Sequence, residues 1–353
     1  MVRGEDALSQ LPAGQGDGPG EGRLPSPEGW LRERRESRGE SRSEEAVARR
    51  RHGRRAACLS HGLACVLLCL FWRITVRLKG KVAIVTGGGS GIGGAIATRF
   101  AKEGASVVIA DLDPVRSEKL IAQIKADGGK AAYAKLDAMK YTDAVAMVDT
   151  AVKTFGHLDI LVNNVGGGKG NGLEELDEAT WDWNMNFALK PAFLCSKAAM
   201  PKLLERPGAA VVNISSINGL TAIGLEAYAA AKAGLVLFTK NLALKYGPKG
   251  VRSNVIAPGT TRTDFWIPAE QKDPDIFNRI GKVYPMGRVA RPDDIANAAL
   301  FLASDEASFV NGVVLPVDGG FTAGTNIFDQ AARGGGAADA IWGTDATKQE
   351  RKK

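Results

Sequence analysis

The chain has 353 residues, 44% of them hydrophobic, and a formal net charge of +7. The charge is uneven, since residues 1–80 carry 15 Lys and Arg against 10 Asp and Glu, and the remaining residues carry 31 against 29. The larger part is therefore nearly neutral and lacks the basic surface that binds a polyanion, which excludes nucleic-acid binding as its function.

Residues 1–76 differ in composition from the rest of the chain. Up to residue 55 they are rich in Gly, Arg, Glu and Ser and predict a disordered extension. The mostly apolar stretch 56–72 is either a short membrane anchor or part of an extension without a folding role. It lies at the short end for a span and contains Ser60 and His61, so we expect no membrane attachment.

Residues 77–324 are predicted to form a single domain, followed by a disordered tail over 325–353. Short apolar strands alternate there with helical crossovers, which predicts an α/β fold: a doubly wound parallel sheet of about seven strands between two helical layers. The predicted strands span 82–85, 106–110, 131–135, 160–162, 210–214, 253–256 and 312–317. The predicted helices span 92–102, 116–126, 142–155, 180–204, 226–246 and 292–303.

A glycine-rich turn, TGGGSGIG over 86–93, joins the first predicted strand to the first predicted helix. Glycine permits a tight turn and the close approach of a pyrophosphate to backbone N–H groups at a helix N-terminus. The strand before and the helix after distinguish this turn from a flexible loop. The predicted cofactor-binding residues here are Gly87, Ser90, Gly91, Ile92 and Gly93.

Asp111 ends the second predicted strand, eighteen residues after Gly93. An acidic residue at this place accepts hydrogen bonds from the adenosine ribose diol and repels a 2′-phosphate. Neither Ser90 nor Leu112 supplies the basic side chain that a 2′-phosphate needs. The sequence therefore predicts NAD rather than NADP as the cofactor.

Tyr228 and Lys232 lie four residues apart in the predicted helix 226–246, and so on one helical face. A free phenol titrates near pH ~10. A neighbouring ammonium favours the phenolate, so we expect Lys232 to lower the pKa of Tyr228 and make it a general acid/base. Such a pair alone is more often part of a solvated face, and the glycine turn gives it weight.

Taken in order, these motifs resemble those of the short-chain dehydrogenase/reductase family over about 77–324. The matching landmarks are TGGGSGIG (86–93), Asp137, NNVG (163–166), Asn186, ISS (214–216), YAAAK (228–232) and PGTTRT (258–263). The resemblance implies a Rossmann-type fold and an NAD-dependent enzyme that interconverts a secondary alcohol and a ketone by hydride transfer. It also implies a homotetramer built through helices 180–204 and 226–246.

The resemblance further implies the roles of individual catalytic residues. Tyr228 is the acid/base, Lys232 also holds the nicotinamide ribose, and Asn186 anchors a water that relays protons, with Asn184 as a bystander. The carbonyl is polarised by a serine, for which the family spacing favours Ser215. The residues that follow, 217–219, favour Ser216 instead, and we prefer Ser216.

The remaining cofactor contacts are also implied by the resemblance. Asp137 is expected to contact adenine, and Asn164 and Gly166 are expected at the adenine-side ribose. The segment 258–263 is expected at the nicotinamide, through Pro258, Thr261 and Thr263.

Two segments are expected to frame the substrate pocket: 166–172, which is rich in glycine, and 264–289, which resembles the mobile substrate loop of the family. The second carries Phe265, Trp266, Ile267 and Phe277. These side chains predict a substrate with a hydrophobic portion, although packing in the core is an equal alternative for them. Lys169 is a candidate contact for an anionic group.

Other functions stay open from the sequence alone. They are a 3-oxoacyl-thioester reductase, a membrane-associated steroid or lipid dehydrogenase, and an inactive family member that binds only nucleotide. The intact Tyr228 and Lys232 count against the inactive member.

Cysteine and histidine usage predicts neither disulfides nor a metal site. Cys195 and His157 are the sole cysteine and histidine of the predicted domain, and no pair has the spacing of zinc ligands. Cys195 is expected to be a buried packing residue. The cysteine usage therefore predicts a cytoplasmic protein. The family resemblance implies that its substrate is a small-molecule alcohol or ketone.

Overall fold

A computed structural model of the chain describes residues 76–170 and 172–324. The predictions for 1–75, including the apolar stretch 56–72, and for the tail 325–353 fall outside these ranges, so the domain boundaries stay predictions. Within the described ranges, no helix combines the length and the apolar character needed to cross a membrane.

The described strands form one parallel sheet in the order β3-β2-β1-β4-β5-β6-β7. They are β1 Val82–Thr86, β2 Ser106–Asp111, β3 Lys130–Lys135, β4 Ile160–Asn163, β5 Ala209–Ile214, β6 Val251–Pro258 and β7 Val314–Val317. The order reverses between β1 and β4, which opens a crevice at the carboxyl ends of the strands. The predicted doubly wound fold is confirmed.

Helices cover both faces of the sheet. They are α1 Gly91–Lys102, α2 Pro114–Ala126, α3 Tyr141–Phe155, α4 Glu178–Ala188, α5 Lys190–Leu203, α6 Glu226–Tyr246, α7 Ile267–Lys272, α8 Ile276–Gly281 and α9 Pro292–Ala303. One hydrophobic cluster packs α1, α2 and α9 on one face, and a second packs α3 and α5 on the other. Strands β1, β4 and β6 are buried at every residue, as expected of a sheet covered twice.

The single helix predicted over 180–204 is wrong, because the structure divides it into α4 and α5. Leu189 separates them, with φ −123° and ψ −49°. Pro191 explains the break: it has no N–H to donate to the carbonyl four residues earlier, and its ring clashes with that carbonyl.

A buried chain of polar side chains fixes α6 against the sheet. The Asn163 amide on β4 donates to Asn213 Oδ1 on β5 at 2.8 Å, and Asn213 Nδ2 donates to Thr239 Oγ1 on α6 at 2.8 Å. Buried polar groups that satisfy one another specify a single packing arrangement. These hydrogen bonds therefore fix the position of the helix that carries Tyr228 and Lys232 relative to strands β4 and β5.

Candidate active site

The turn between β1 and α1 is built around glycine. Gly87 and Gly91 have φ of +60° and +54°, a region that disfavours residues with a Cβ. At Gly93, a Cβ would lie 2.0 Å from the Gly87 carbonyl oxygen. Ser90 at the N-cap makes no side-chain cap hydrogen bond, and Ser90, Gly91 and Ile92 line a cavity. The uncapped start of α1 therefore offers backbone donors to an anion, as a pyrophosphate requires.

Asp111 lies beside this turn, at the carboxyl end of β2. Its Oδ2 accepts a hydrogen bond from the Gly89 N–H at 2.9 Å, and its Oδ1 accepts one from the Asp113 N–H at 3.0 Å. The carboxylate lines the cavity in a fixed orientation. Together with the glycine turn, this arrangement fits a dinucleotide cofactor.

Arg116, a cavity residue that the sequence analysis missed, lies in the first turn of α2 near Asp111. Its Nε lies 3.3 Å from Asp113 Oδ2, and its Nη1 lies 3.9 Å from Asp264 Oδ2. The guanidinium therefore pairs with two carboxylates at the predicted adenine side of the cavity. A motif search directed at strand ends does not find Arg116, because it lies in the first turn of a helix.

Asp137 lines the cavity after β3. The hydrogen bond from the Met139 N–H, at 3.1 Å, is the main cause that lowers the pKa of this carboxyl, and the Lys140 ammonium at 3.2 Å acts in the same direction. The side chain is thus a hydrogen-bond acceptor at neutral pH, as an adenine contact would need.

Asn164 follows β4 and serves the glycine turn directly. Its Nδ2 donates to the carbonyls of Thr86 and Gly87 at 3.1 and 3.2 Å, and its N–H donates to Thr86 Oγ1 at 2.9 Å. These bonds tie the end of β4 to the turn after β1. Asn164 therefore helps to fix the backbone of the turn at the predicted pyrophosphate site. It also lines the cavity.

Tyr228 and Lys232 lie in the first two turns of α6, at the middle of the cavity. Tyr228 is half-buried and lines the cavity together with Ser216. Lys232 is only 2% exposed, and its Nζ donates to the Ile214 carbonyl at 2.9 Å and lies 5.7 Å from the centre of the Tyr228 ring.

The predicted lowering of the Tyr228 pKa is not what this structure shows. Burial raises the pKa of the phenol, and the hydrogen bond with Ser216 opposes that rise. Burial also lowers the pKa of Lys232 to about 8. Desolvation therefore outweighs the attraction between the two groups, because the ammonium is directed to a backbone carbonyl rather than to the phenolic oxygen.

The two candidate serines have different partners. Ser215 is buried, and its hydroxyl donates to the Lys232 carbonyl at 2.9 Å. Ser216 donates instead to Asn218 Oδ1 at 3.0 Å and lies close enough to Tyr228 to lower the pKa of the phenol. The geometry therefore favours Ser216 as the partner of the phenol and gives Ser215 the task of fixing α6.

The structure does not bring Asn186 to the cavity. Asn186 is exposed on α4, whereas the supposed bystander Asn184 is fully buried. Asn184 Oδ1 accepts from the Lys169 N–H at 3.1 Å, and its Nδ2 donates to the Lys169 carbonyl at 2.9 Å. A sequence match gives the order of residues but not the rotation of α4, so it could not show which of the two asparagines faces inwards.

Asn184 thereby holds a glycine strip, residues 166–168, over Tyr228 and Lys232. A Cβ at Gly168 would lie 2.6 Å from Cγ of Tyr228, and a Cβ at Gly166 would lie 2.9 Å from Lys232 Nζ. The close approach of α6 therefore leaves no room for a Cβ at Gly166 and Gly168. The strip covers one side of the phenol.

The cavity has a volume of about 780 Å³. Its walls include apolar side chains, namely Phe187, Ile223, Leu225, Phe265, Trp266 and Ile267. Phe265 is 74% exposed and Trp266 is half-buried, so these aromatic residues line the cavity rather than pack in the core. The Lys169 ammonium lies 4.7 Å from the centre of the Trp183 ring and does not line the cavity.

The loop after β6 closes the predicted nicotinamide side. Thr263 lies beside the glycine turn, since a Cβ on Gly91 would be 3.4 Å from Thr263 Cγ2. The Tyr284 hydroxyl accepts from the Thr260 N–H at 2.7 Å and donates to Thr260 Oγ1 at 2.9 Å. This buried tyrosine, which the sequence analysis missed, holds the loop from beneath.

Comparisons with known proteins agree with this geometry. A family model described as Enoyl-(Acyl carrier protein) reductase matches residues 87–322. The chain is 42% identical over 254 residues to a 2,5-dichloro-2,5-cyclohexadiene-1,4-diol dehydrogenase of Sphingobium indicum, with 70% of this chain and 98% of that protein covered. It is 38% identical over 248 residues to a cyclohexanol dehydrogenase of an Acinetobacter species, with 70% and 96% covered.

A solved structure extends the comparison to three dimensions. An oxidoreductase of the short-chain dehydrogenase/reductase family from Burkholderia thailandensis matches with a TM-score of 0.65 and 34% identity, over 72% of this chain and 97% of that one. The chain belongs to the short-chain dehydrogenase/reductase family. It is therefore an NAD(P)-dependent oxidoreductase that acts on CH–OH groups.

In this short-chain dehydrogenase/reductase, the structure gathers nearly all the predicted site residues around one cavity. Those that line it are Gly87, Ser90, Gly91, Ile92, Asp111, Asp137, Asn164, Gly166, Ser216, Tyr228, Lys232, Pro258, Thr261 and Thr263. Gly93 lies just behind the turn, and Asn186 lies outside the cavity.

Proposed function

We propose that the chain is an NAD-dependent dehydrogenase of uncharged secondary alcohols, in which Tyr228 is the general acid/base. One observation carries the proposal: Tyr228 and Ser216 line the same cavity as the glycine turn and Asp111. Tyr228, the proposed proton-transfer residue, and the predicted dinucleotide site therefore line the same cavity.

The chemistry follows from what an alcohol must lose to become a ketone. The bound cofactor supplies the hydride acceptor. Tyr228, ionised to the phenolate, accepts the hydroxyl proton on its oxygen, and the Ser216 hydroxyl donates a hydrogen bond to the substrate oxygen as it becomes a carbonyl. Lys232, buried beneath them, holds the nicotinamide ribose by its ammonium group.

Replacing the phenol tests the assignment of the base. Tyr228→Phe is expected to lower kcat by about 10³-fold, because general acid–base catalysis contributes about 10²–10⁴-fold. NADH binding, measured by fluorescence titration, should stay within about fivefold, since less than about 1 kcal/mol of contact energy is removed. Tyr246→Phe, at the other end of α6, is the matched control and should retain full turnover. Undiminished turnover of Tyr228→Phe would refute the assignment.

The preference for NAD is supported by the Asp111 carboxylate, which two backbone N–H groups hold at the cavity. Arg116, the nearby cation, is paired with Asp113 and Asp264. Asp111→Ala is expected to reduce the ratio of kcat/KM with NAD to that with NADP by at least about tenfold, equivalent to about 1.4 kcal/mol. A wild-type enzyme that binds NADPH more tightly than NADH would contradict the preference.

The uncharged substrate class is supported by the apolar side chains in the cavity walls. Among the described residues that line the cavity, the charged ones other than Lys232 are Asp111, Arg116, Asp137 and Asp264. Arg116 lies within 3.9 Å of Asp264, so these groups belong to the adenine side and the adjoining loop. Cyclohexanol should have a kcat/KM at least about tenfold above that of an anionic analogue such as a 3-hydroxyacyl-CoA. Preference for the thioester would favour the oxoacyl-thioester reductase instead.

A homotetramer built through α5 and α6 belongs to the same proposal. Apolar side chains on these helices face outwards, with Leu237 62% exposed, Leu244 80% exposed and Phe193 45% exposed. Light scattering should give four times the chain mass, and Leu244→Glu should reduce it, whereas Val115→Glu on α2 should not. A monomeric mass for the wild type would contradict this part of the proposal.

We place the enzyme in the cytoplasm because its domain cysteine suits a reducing compartment. Cys195 is buried and free, and burial raises the pKa of its thiol to about 12, which leaves it unreactive. Fractionation of cells that express the full chain tests the location, and recovery with the membranes would contradict it.

A further inference from the structure

Leu225 has a backbone conformation that favours glycine. Within residues 76–170 and 172–324 it is the one residue other than glycine with a positive φ. Its φ is +58° and its ψ is +61°, a left-handed conformation in which a Cβ crowds the following carbonyl oxygen. Asn and Asp can offset this crowding by a local hydrogen bond, but the leucine side chain has no polar atom to do so. The backbone alone therefore does not explain a leucine at this position.

Hydrogen bonds on both sides of Leu225 hold this conformation. The Gly224 carbonyl, in the peptide before it, accepts from Asn218 Nδ2 at 3.0 Å. The Leu225 carbonyl, in the peptide after it, accepts from the Ala229 N–H at 2.8 Å. Only the φ and ψ of Leu225 join these two rigid peptides, so the residue cannot leave the left-handed region while both bonds are kept.

The side chain that is held in this way lines the cavity. Leu225 is 37% exposed, so a ligand in the cavity can cover more of its apolar surface. Tyr228 lies three residues further along, in the first turn of α6, and lines the same cavity. Because the hydrogen bond from Ala229 ties Leu225 to this turn, the backbone of the leucine is fixed relative to the proposed acid/base.

We propose that Leu225 is a specificity-determining residue, whose side chain limits the size of the alcohol that can bind in the cavity with Tyr228. This inference rests on the proposed function, because it names which secondary alcohols that site accepts. A leucine in place of glycine lowers stability at this position and gives the cavity an apolar wall in return, as in other sites where function opposes stability. Stability and specificity should therefore respond differently to the same substitutions.

Melting temperatures test the backbone strain, with Leu220 as the matched position. Leu220 lies in the same loop, is 38% exposed, has φ −118° and is not one of the residues that line the cavity. Leu225→Gly should melt about 2–4 °C above Leu225→Ala, because glycine alone relieves the strain. Leu220→Gly should melt below Leu220→Ala, because glycine loses more conformational freedom on folding. The same order at both positions would overturn the inference.

The substrate preference tests the role of the side chain. Leu225→Ala should raise the ratio of kcat/KM for cyclododecanol to that for cyclohexanol at least about tenfold, since the cavity gains space and loses contact with the smaller ring. The control Leu220→Ala should keep the wild-type ratio within about twofold. An unchanged ratio in Leu225→Ala would show that the side chain does not limit the substrate.

A conservative variant separates specificity from a general disturbance of α6. Leu225→Met nearly conserves the side-chain volume and should keep the ratio within about threefold of the wild type, with unchanged NADH affinity. A tenfold change in Leu225→Met as well would show that the backbone, and not the size of the side chain, sets the preference.

Failure of the inference and failure of the proposed function give different results. If Tyr228→Phe converts both alcohols at the wild-type rate, the proposed function fails, and the inference about Leu225 fails with it. If Tyr228→Phe is inactive but Leu225→Ala keeps the wild-type ratio, only the inference about Leu225 fails.

Discussion

The two ends of the cavity are built by different means. At the glycine turn, Asp111 and Asn164 bind backbone groups, and a single added Cβ at Gly93 would meet the Gly87 carbonyl oxygen at 2.0 Å. At the substrate end, the walls are apolar side chains on short loops and helices, such as the 74% exposed Phe265.

This difference separates two tasks of the enzyme. The glycine turn and Asp111 are proposed to recognise a pyrophosphate and a ribose by fixed donors and acceptors, so small changes of atomic position should matter at this end. The substrate end recognises the shape of an apolar body, which many side chains can share. We therefore expect single changes to have large effects at the first end and graded effects at the second.

The sharpest test is a pair of adjacent glycines in the first turn of α1. Gly93→Ala is expected to weaken NADH binding at least about 100-fold, equivalent to about 3 kcal/mol, because the turn must open to admit the methyl group. At Gly94 a Cβ would meet its nearest atom, on Leu120, at 3.5 Å. Gly94→Ala should therefore bind NADH normally and stabilise the helix by about 0.5–1 kcal/mol. Equal affinities in fluorescence titration would break the comparison.

The glycine strip over Tyr228 gives the second matched pair, at the boundary between the two ends. Gly168→Ala places a methyl group 2.6 Å from Cγ of the phenol ring and should lower kcat by about 100-fold by displacing the acid/base. At Gly167 a Cβ would lie 3.4 Å from the Phe187 ring, so Gly167→Ala should lower kcat by less than about threefold. A Gly168→Ala enzyme with normal steady-state kinetics would show that the strip is free to move.

The buried Lys232 predicts how stability depends on pH. Burial lowers its pKa to about 8 from 10.5, so between these values the unfolded chain binds a proton that the folded chain does not. The free energy of unfolding should therefore rise with pH over this window, relative to Lys232→Met, by at most about 3 kcal/mol. Urea denaturation from pH 7 to pH 11 measures the difference.

The control for this experiment is Lys240→Met, which removes one positive charge from an exposed position of the same helix. If the difference between the wild type and Lys232→Met stays constant or falls between pH 8 and pH 10.5, burial is not the main influence on this ammonium.

The smallest effect is expected at the substrate end. Phe265→Ala should raise the KM for cyclohexanol a few-fold and leave NADH affinity unchanged. Because the ring is 74% exposed, the free energy of unfolding should change by less than about 0.5 kcal/mol. A loss of more than 2 kcal/mol in urea denaturation would show that Phe265 belongs to the core rather than to the cavity wall.

The nucleotide end could be predicted from the sequence with little loss. Its residues follow directly after strands, and parallel strands bring their carboxyl ends to one edge, so Asp111, Asp137 and Asn164 converge wherever such a sheet forms. A glycine is informative at this turn because a residue with a Cβ does not fit at its key positions. Arg116 escaped notice because it lies inside a helix, where its direction depends on how α2 packs.

The middle of the site was predicted less completely. Matching residues along the chain placed Asn186 in the cavity and called Asn184 a bystander, yet the rotation of α4 reverses their exposure. That rotation depends on the break after Ala188. Pro191 causes the break, because it cannot donate a hydrogen bond to the carbonyl four residues earlier. A motif records order along the chain but not the angle at which a helix meets its neighbours.

By itself the sequence determined the alternation of strands and helices, the glycine turn and the Tyr-x-x-x-Lys pair, because each depends on residues close together in the chain. Only the tertiary structure decided which serine meets the phenol, and that the Lys232 ammonium turns to the Ile214 carbonyl. It also revealed that Asn218 joins Ser216 to Gly224. These contacts, and the direction in which burial moves the pKa of each group, depend on packing between segments that are distant in sequence.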